Sequence, residues 1–136
     1  MPQLNAVTIT TPSTSTEYAF NPRGINPQTG VAQLSCSQGS GSDLGSIDLT
    51  LFLNPSTRNR QTFKPRLKLA RPTTVVETGS HGSTVETLAR NALADMEFTF
   101  TTTSTKAERV EQLESIVELL KDPMIVDMVT NLNSVY

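Results

Sequence analysis

The sequence has no tryptophan, a single cysteine (Cys36), a single histidine (His81) and few aromatic residues, 5% in all. One cysteine excludes an intramolecular disulfide framework, and together with one histidine it excludes a zinc site built on repeated Cys and His ligands. No uncharged apolar run approaches the roughly 18 residues that span a bilayer, and the N-terminus lacks the pattern of a secretory signal. We therefore expect a soluble chain made in the cytosol, with no membrane partner.

Neither positive nor negative charge dominates the sequence. Eleven basic and thirteen acidic residues give a net charge of -2. This balance excludes a uniformly basic nucleic-acid binder, but it does not exclude a local basic patch.

Length and apolar content predict one modest core. The chain has 136 residues, of which 36% are hydrophobic. That is the size of one domain, so we expect a single domain over residues 1–136. Because a lone monomer of this composition would bury less apolar surface than is usual, a partner chain is expected to supply part of the core.

The first hundred residues are predicted to form strands and turns. Short Thr- and Val-rich runs are separated by Gly, Pro, Asn and Ser clusters, as in antiparallel sheets. An N-terminal hairpin is expected from residues 7–10 and 17–20, and a further strand over 31–36. Between 47 and 53, apolar residues alternate with Asp48, Thr50 and Phe52, which predicts a strand with one core-facing side.

Residues 62–69 are predicted to form the next strand, with Thr62, Lys64, Arg66 and Lys68 on one face. Pro65 lies on the apolar side and cannot donate to a ladder, so we expect a bulge or an unpaired position there. Residues 72–84 are predicted to be a long loop, and 85–101 the last strand or strands.

Two helices are predicted after residue 104. Thr105 and Glu108 have the spacing of a capping box, and apolar residues recur at helical spacing from Val110 onward. This helix should end near Lys121. Asp122 as N-cap, followed by a proline, then opens a second helix, so the helical segment is expected over 105–132.

The basic residues are concentrated in one stretch. Six of the eleven lie between residues 58 and 71, with no acidic residue among them: Arg58, Arg60, Lys64, Arg66, Lys68 and Arg71. On a strand, Lys64, Arg66 and Lys68 would form a row of cations with a spacing of about 6.5 to 7 Å, comparable to the pitch of nucleic-acid phosphates. Such a row can bind RNA, or it can merely keep a sheet edge soluble.

An exposed sheet face is the expected setting for this row. Two helices covering one face of an antiparallel sheet would leave the other face open. RNA-binding sheet faces usually add a ring on which a base stacks, and Phe52 is the candidate here. The alternative is that Phe52 packs against a neighbouring side chain at a subunit contact.

No group of residues favours an enzyme. The glycines at 39, 41 and 45 have the wrong spacing for a dinucleotide-binding fingerprint. His81 has no neighbouring motif that would make it a catalytic base, and Cys36 has no adjacent base. We expect no catalytic residue, no cofactor and no metal site.

Four sequence segments are more specific to a protein family than these general patterns. They are NPRGINPQTGVAQLS (21–35), NPSTRNRQTFK (54–64), ADMEFTFT (94–101) and STKAERVEQLESIVELLKDPMIVDMVTNLNSVY (104–136). In order and spacing they resemble the coat proteins of small single-stranded RNA bacteriophages, the levivirus family, and within it the Q-beta type. The resemblance covers nearly the whole chain and is poor only in the loops at 37–46 and 72–86.

The resemblance implies an α+β fold. It consists of an N-terminal β-hairpin (1–20), a five-stranded antiparallel sheet (31–101) and two C-terminal helices. Two protomers of this family join their sheets edge to edge and lay their helices across each other's sheet, as an intertwined dimer. Such a dimer would account for the thin monomer core.

The resemblance also places RNA-binding residues. Carried over position by position, the family's contacts fall on the following residues: Thr50, Arg60, Thr62, Lys64, Arg66, Lys68 and Asp95. Two positions depart from the Q-beta type. Leu93 stands where a stacking tyrosine is usual, and Phe52 stands where a small hydroxyl residue lies near an adenine pocket.

The implied function is structural. Dimers of this family self-assemble into an icosahedral T=3 shell around single-stranded genomic RNA, and one dimer binds an RNA hairpin as a translational repressor. The implied partners are a second copy of the chain, genomic RNA and a maturation protein. The implied location is the virion, after assembly in the cytoplasm of the bacterial host. The alternative is a dimeric RNA-hairpin-binding regulator that does not form shells.

Overall fold

The computed structural model describes residues 3–37, 43–53 and 61–134. The strands are β1 (Val7–Thr11), β2 (Thr16–Ile25), β3 (Val31–Cys36), β4 (Ile47–Phe52), β5 (Thr62–Phe63), β6 (Arg66–Thr78), β7 (Thr84–Glu97) and β8 (Phe100–Thr101). The helices are α1 (Lys106–Leu119) and α2 (Pro123–Asn131), and a 3₁₀ helix, Asp43–Gly45, precedes β4. The chain forms two compact units, 1–99 and 100–136. The single domain over 1–136 stays a prediction.

Six strands of the first unit form one antiparallel sheet in the order β1-β2-β3-β4-β6-β7. This differs from the expected separate hairpin beside a five-stranded sheet. The difference arises because β2 is longer than predicted: its first half pairs with β1 and its second half pairs with β3. The two halves join at a β-bulge between Pro22 and Gly24. Gly24 adopts a φ of 154°, a backbone conformation that favours glycine.

The core lies on one face of this sheet. Alternation along each strand brings Leu34, Leu49 and Leu69 into one cross-strand row. Leu34 and Leu49 are buried with three further residues: Phe20, Cys36 and Ile47. Leu69 is partly buried and packs against this cluster, as do Leu4, Tyr18 and Leu51. Only five hydrophobic residues of the described chain are buried, so the core is small, as the composition predicted.

The predicted loop at 72–84 is wrong. The strand β6 continues to Thr78, β7 begins at Thr84, and a turn at 79–83 joins them. The β-branched residues of PTTVVET suit a strand. Pro72 is tolerated because the ladder with β4 ends at Ala70, and beyond it β7 is the one described strand that pairs with β6.

The strand predicted over 62–69 is interrupted at its proline. The strand β5 ends at Phe63 and β6 begins at Arg66, so Lys64 and Pro65 lie between them. Pro65 has no N–H for a ladder, but its carbonyl accepts a 2.9 Å hydrogen bond from the Phe98 backbone. The unpaired position expected at Pro65 is therefore present.

Both helices begin at the N-caps that the sequence predicted. The Thr105 N–H donates to Glu108 Oε2 at 2.7 Å, and the Glu108 N–H donates to Thr105 Oγ1 at 3.3 Å, which completes the capping box of α1. Asp122 accepts from the Met124 N–H at 2.9 Å at the start of α2, and Leu132 ends that helix in the left-handed region. No residue of either helix is buried within this chain.

Candidate nucleic-acid interface

The register of the sheet places most of the predicted RNA-binding residues on the face opposite the core. Thr50 of β4 pairs with Lys68 of β6, which pairs with Asp95 of β7. In the next row, Phe52 pairs with Arg66. We call this side of the sheet, defined by these five residues, the cationic face. Strand alternation explains it, because Leu49, Leu51, Leu67 and Leu69 occupy the intervening positions and point the other way.

Arg66 and Asp95 form the strongest contact on the cationic face. The Arg66 Nε–H donates to Asp95 Oδ1 at 2.9 Å, and Nη2 donates to Oδ2, so the pair is bidentate. The hydrogen bond from Arg66 holds the pKa of the Asp95 carboxyl below its usual value, although partial burial opposes the shift; the charges of Arg66 and Lys68 contribute less. The same pair raises the pKa of the Arg66 guanidinium. Both groups are therefore ionised at neutral pH.

A second carboxylate extends this pairing. Glu97 lies directly opposite Arg66 in the ladder, and its Oε1 is 3.9 Å from the Lys64 Nζ. Both side chains of that pair are almost half exposed, at 47% for Lys64 and 43% for Glu97. In the described part of the chain, Lys68 has no carboxylate oxygen within 4.0 Å. Carboxylates therefore hold two of the three cations at positions 64, 66 and 68.

A shallow cavity of about 470 Å³ opens on the cationic face. It is lined by Thr29, Val31, Thr50, Phe52, Arg66 and Lys68. An aromatic ring, a guanidinium and an ammonium group therefore border one open space. These are the groups that stack on a base and bind the adjoining phosphate.

The remaining predicted site residues have different outcomes. Thr62 lies in β5 and Arg66 in β6, with the break at Pro65 between them. The prediction that one strand carries both residues on one face is therefore wrong. Leu93 is paired with Ala70 on the cationic face and is 62% exposed, so an aliphatic side chain occupies that position. Arg60, like Arg58, lies outside the described residues.

Three polar residues on this side of the sheet were not singled out from the sequence. Gln33 faces Thr50, Asp48 lies two residues before it, and Arg23 reaches the same side from the bulge in β2. The alternation over 47–53 had placed Asp48 on this face without marking it as a site residue, and the same alternation applied to β3 would have found Gln33. Arg23 gave no such signal, because a bulge breaks the alternation that predicts a side chain's direction.

The residues considered for catalysis are not brought together. His81 is exposed in the turn between β6 and β7, whereas Cys36 is buried in the core. Within residues 3–37, 43–53 and 61–134, no cluster of three His, Cys, Asp or Glu side chains is placed to hold a metal ion. None of the helices in those ranges has the length and apolar character that spanning a membrane requires.

Comparison with known proteins decides the family. A model of the levivirus coat protein family matches residues 2–136. The chain belongs to the levivirus coat protein family. The Qbeta virus (strain MX1) capsid protein is 35% identical over 122 residues, which cover 86% of this chain and 84% of that one. The Enterobacteria phage SP capsid protein is 34% identical over 143 residues, and the match covers 100% of this chain and 100% of that one.

Solved structures confirm the levivirus coat protein fold. The virus-like particle of Beihai levi-like virus 21 matches with a TM-score of 0.83 and 24% identity over 99% of each chain. An unassembled virus coat protein dimer, described as a bacteriophage RNA-binding dimer, matches with a TM-score of 0.66 and 17% identity over 98% of each chain. The resemblance to Q-beta-type coat proteins is thus confirmed. The relatives are structural capsid proteins, so this coat protein is not an enzyme.

Proposed function

We propose that this coat protein dimerises and assembles into an icosahedral T=3 phage shell that packages single-stranded RNA, with the cationic face directed at the RNA. The observation that carries the proposal is the cationic face itself, where Arg66 and Lys68 border a cavity with Phe52. Capsid proteins that form virus-like particles, and a coat protein dimer that binds RNA, share this fold.

The homodimer is supported by surfaces that one chain leaves uncovered. The strand β7 has fourteen residues and lies at the edge of the six-stranded sheet, so one side of its backbone has no ladder partner among the described strands. Long unpaired edges pair readily with another strand. The helices expose large apolar side chains, among them Leu113 at 52% and Val129 at 62%. A second copy that pairs along β7 and covers the helices would bury both surfaces.

RNA packaging is supported by the chemistry of the cationic face. Ammonium and guanidinium groups bind phosphates whatever the base sequence, and such contacts supply most nonspecific affinity. We propose RNA contacts at the residues the family pattern marks: Thr50, Arg60, Thr62, Lys64, Arg66, Lys68 and Asp95. Phe52 is proposed to stack on an unpaired base in the cavity that it borders.

The finer proposal is translational repression through a genomic RNA hairpin bound on the same face. Hairpin recognition needs contacts to bases as well as phosphates. With Leu93 in place of a stacking tyrosine, Phe52 and Asp95 would have to provide those contacts. A reporter gene placed behind the hairpin at the phage's own replicase start, coexpressed with the coat protein, tests this part. Repression that disappears with Phe52→Ala supports it, and an unrepressed reporter contradicts it.

Replacing Lys64, Arg66 and Lys68 by Ala tests the RNA proposal. We expect folded dimers that package less RNA and bind single-stranded RNA with a shallower salt dependence. The log-log slope should fall by about 0.7 for each phosphate that the variant no longer neutralises. The ratio of nucleic acid to protein in purified particles and a salt titration of affinity measure the two effects.

The matched control replaces Arg90, Lys106 and Lys121, three exposed cations that belong to neither β4 nor β6. This variant has the same net charge as the test variant and should package RNA normally. Equal packaging by all three proteins would refute the proposal. Electron microscopy of the wild type separates the two functions, because closed particles of uniform diameter are expected of a coat protein and free dimers of a regulator.

A further inference from the structure

Arg23 is a cation that the bulge in β2 brings to the margin of the cationic face. It occupies the position between Pro22 and Gly24 where the register of β2 against β3 shifts. Its Nε–H donates to Ser35 Oγ at 2.5 Å. Ser35 lies two residues from Gln33 on β3, and alternate residues of a strand share a face. The guanidinium group therefore lies on the same side of the sheet as Thr50 and Lys68.

A small cavity adjoins this guanidinium group. It has a volume of about 150 Å³ and is lined by Arg23, Gln33, Leu34, Asp48, Leu49 and Thr50. Its polar groups differ in chemistry: a guanidinium that binds phosphate, a carboxylate that only accepts hydrogen bonds, and an amide that both donates and accepts. These are the complementary groups for the phosphate and the base edge of one nucleotide.

The cavity and the predicted RNA-binding residues form one continuous surface. Thr50 lines both this cavity and the larger one beside Phe52, and it pairs with Lys68 in the ladder. Three strand spacings separate β2 from β6, which is about 14 Å. An extended single strand of RNA spans that distance in a few nucleotides, so one RNA can reach both places.

We propose that Arg23, with Gln33 and Asp48, forms a second nucleotide-binding site on the cationic face, in which Arg23 binds a phosphate and Asp48 accepts a hydrogen bond from a base amino group. The inference rests on the proposed function, because the RNA is the one that Lys68 and Arg66 bind. It adds a cation contributed by β2 to the RNA-binding residues of β4, β6 and β7. It also gives the interface a base preference that a row of phosphate contacts lacks.

Arg23→Gln tests the phosphate contact. The probe is a short, unstructured uridine oligonucleotide, titrated against protein freed of copurifying nucleic acid. We expect the variant to bind several-fold more weakly at about 50 mM salt, with a log-log salt slope smaller by about 0.7. Arg23→Lys keeps the positive charge but loses the planar guanidinium group. Its affinity for the oligonucleotide should therefore lie between those of the wild type and Arg23→Gln.

Ser35→Ala is the control for a purely structural role of Arg23. It removes the 2.5 Å hydrogen bond but keeps the cation. If Arg23 binds RNA, Ser35→Ala should keep the wild-type salt slope. If Arg23 only stabilises the bulge, Arg23→Gln should lower the melting temperature and leave the salt slope unchanged, which overturns the inference.

Asp48→Asn tests the base contact. Cytosine presents an amino group where uracil presents an oxygen, so the wild type should bind oligocytidine more tightly than oligouridine. The substitution should reduce the ratio of the two affinities. An unchanged ratio overturns the base contact.

Lys68→Gln distinguishes failure of this inference from failure of the proposed function. Weaker binding by Lys68→Gln together with unchanged binding by Arg23→Gln overturns the second site alone. Unchanged binding by both variants overturns the proposed RNA-binding face and the second site with it.

Discussion

At the scale of single residues, carboxylates decide how the cationic face can bind RNA. Arg66 is held by Asp95, and Lys64 lies 3.9 Å from Glu97. These pairs are exposed, and exposed pairs are weak, so a phosphate can displace them. Until it does, the carboxylates keep the long basic side chains over the sheet and reduce their attraction for other anions. We expect salt to weaken RNA binding at this face steeply, since phosphate contacts supply most of it.

The Arg66–Asp95 pair also makes stability depend on pH. The pKa of Asp95 in the folded protein lies below its ordinary value of 3.8, whereas in the unfolded chain it returns to that value. The ionised carboxylate therefore contributes stability above that value. The contribution is lost as the pH falls through the lower, folded pKa.

Asp95→Asn is accordingly expected to melt below the wild type at neutral pH, with a difference that shrinks as the pH falls below 3.8. Thermal unfolding of both proteins across this range measures the effect. Glu114→Gln, on an exposed helix residue, controls for the loss of a charge. A melting difference independent of pH would contradict the assignment of the pair.

At the scale of secondary-structure elements, local sequence signals were reliable where no partner strand was needed. The capping box predicted at the start of α1 is present with both of its hydrogen bonds. Asp122 caps α2 as predicted. These contacts form between residues two or three positions apart, so the sequence alone specifies them.

Thr105→Ala is predicted to destabilise the protein by about 1 kcal/mol, because it removes the side chain that accepts from the Glu108 N–H. Chemical denaturation measures the change in the free energy of unfolding. Thr105→Ser keeps the hydroxyl group and should restore most of the stability. If serine were as destabilising as alanine, the hydrogen bond would not be the cause.

At the scale of the whole molecule, the chain leaves much apolar surface to be covered. The buried core holds five hydrophobic residues of the described chain, all from β2, β3 and β4, while Leu120 and Val129 are more than half exposed. Exposed apolar surface of this extent marks an interface. The thin core predicted from composition and the exposed helices thus have one explanation in the proposed homodimer.

Leu120→Asp or Val129→Asp is predicted to abolish soluble dimers and particles, because either substitution would bury a charge in the dimer at a cost of several kcal/mol. Size-exclusion chromatography and electron microscopy report the outcome. Ser115→Asp adds the same charge on the polar side of α1 and should assemble normally. A soluble, folded monomer of either test variant would show that the helices need no partner.

The faces of the strands could be read from the sequence, but their contacts could not. Alternation around Thr50 and around Lys68 correctly placed both on the polar side of their strands. Which carboxylate holds which cation depends on register, and the Arg66–Asp95 bond joins residues 29 positions apart. Register is decided by how two strands pair, which the pattern of either strand alone does not contain.

By itself, the sequence determined the antiparallel strands, the two helices with their caps, the small core and the concentration of basic residues near 58–71. The tertiary structure decided that 72–78 is a strand, because its proline lies where, in the described part of the chain, β6 pairs with a strand on one side only. It also decided that Arg23 reaches the cationic face, because a bulge turns a side chain in a way that periodicity does not predict. Both differences have one physical reason: local patterns specify conformation and faces, whereas edges, bulges and ion pairs exist only once strands are paired.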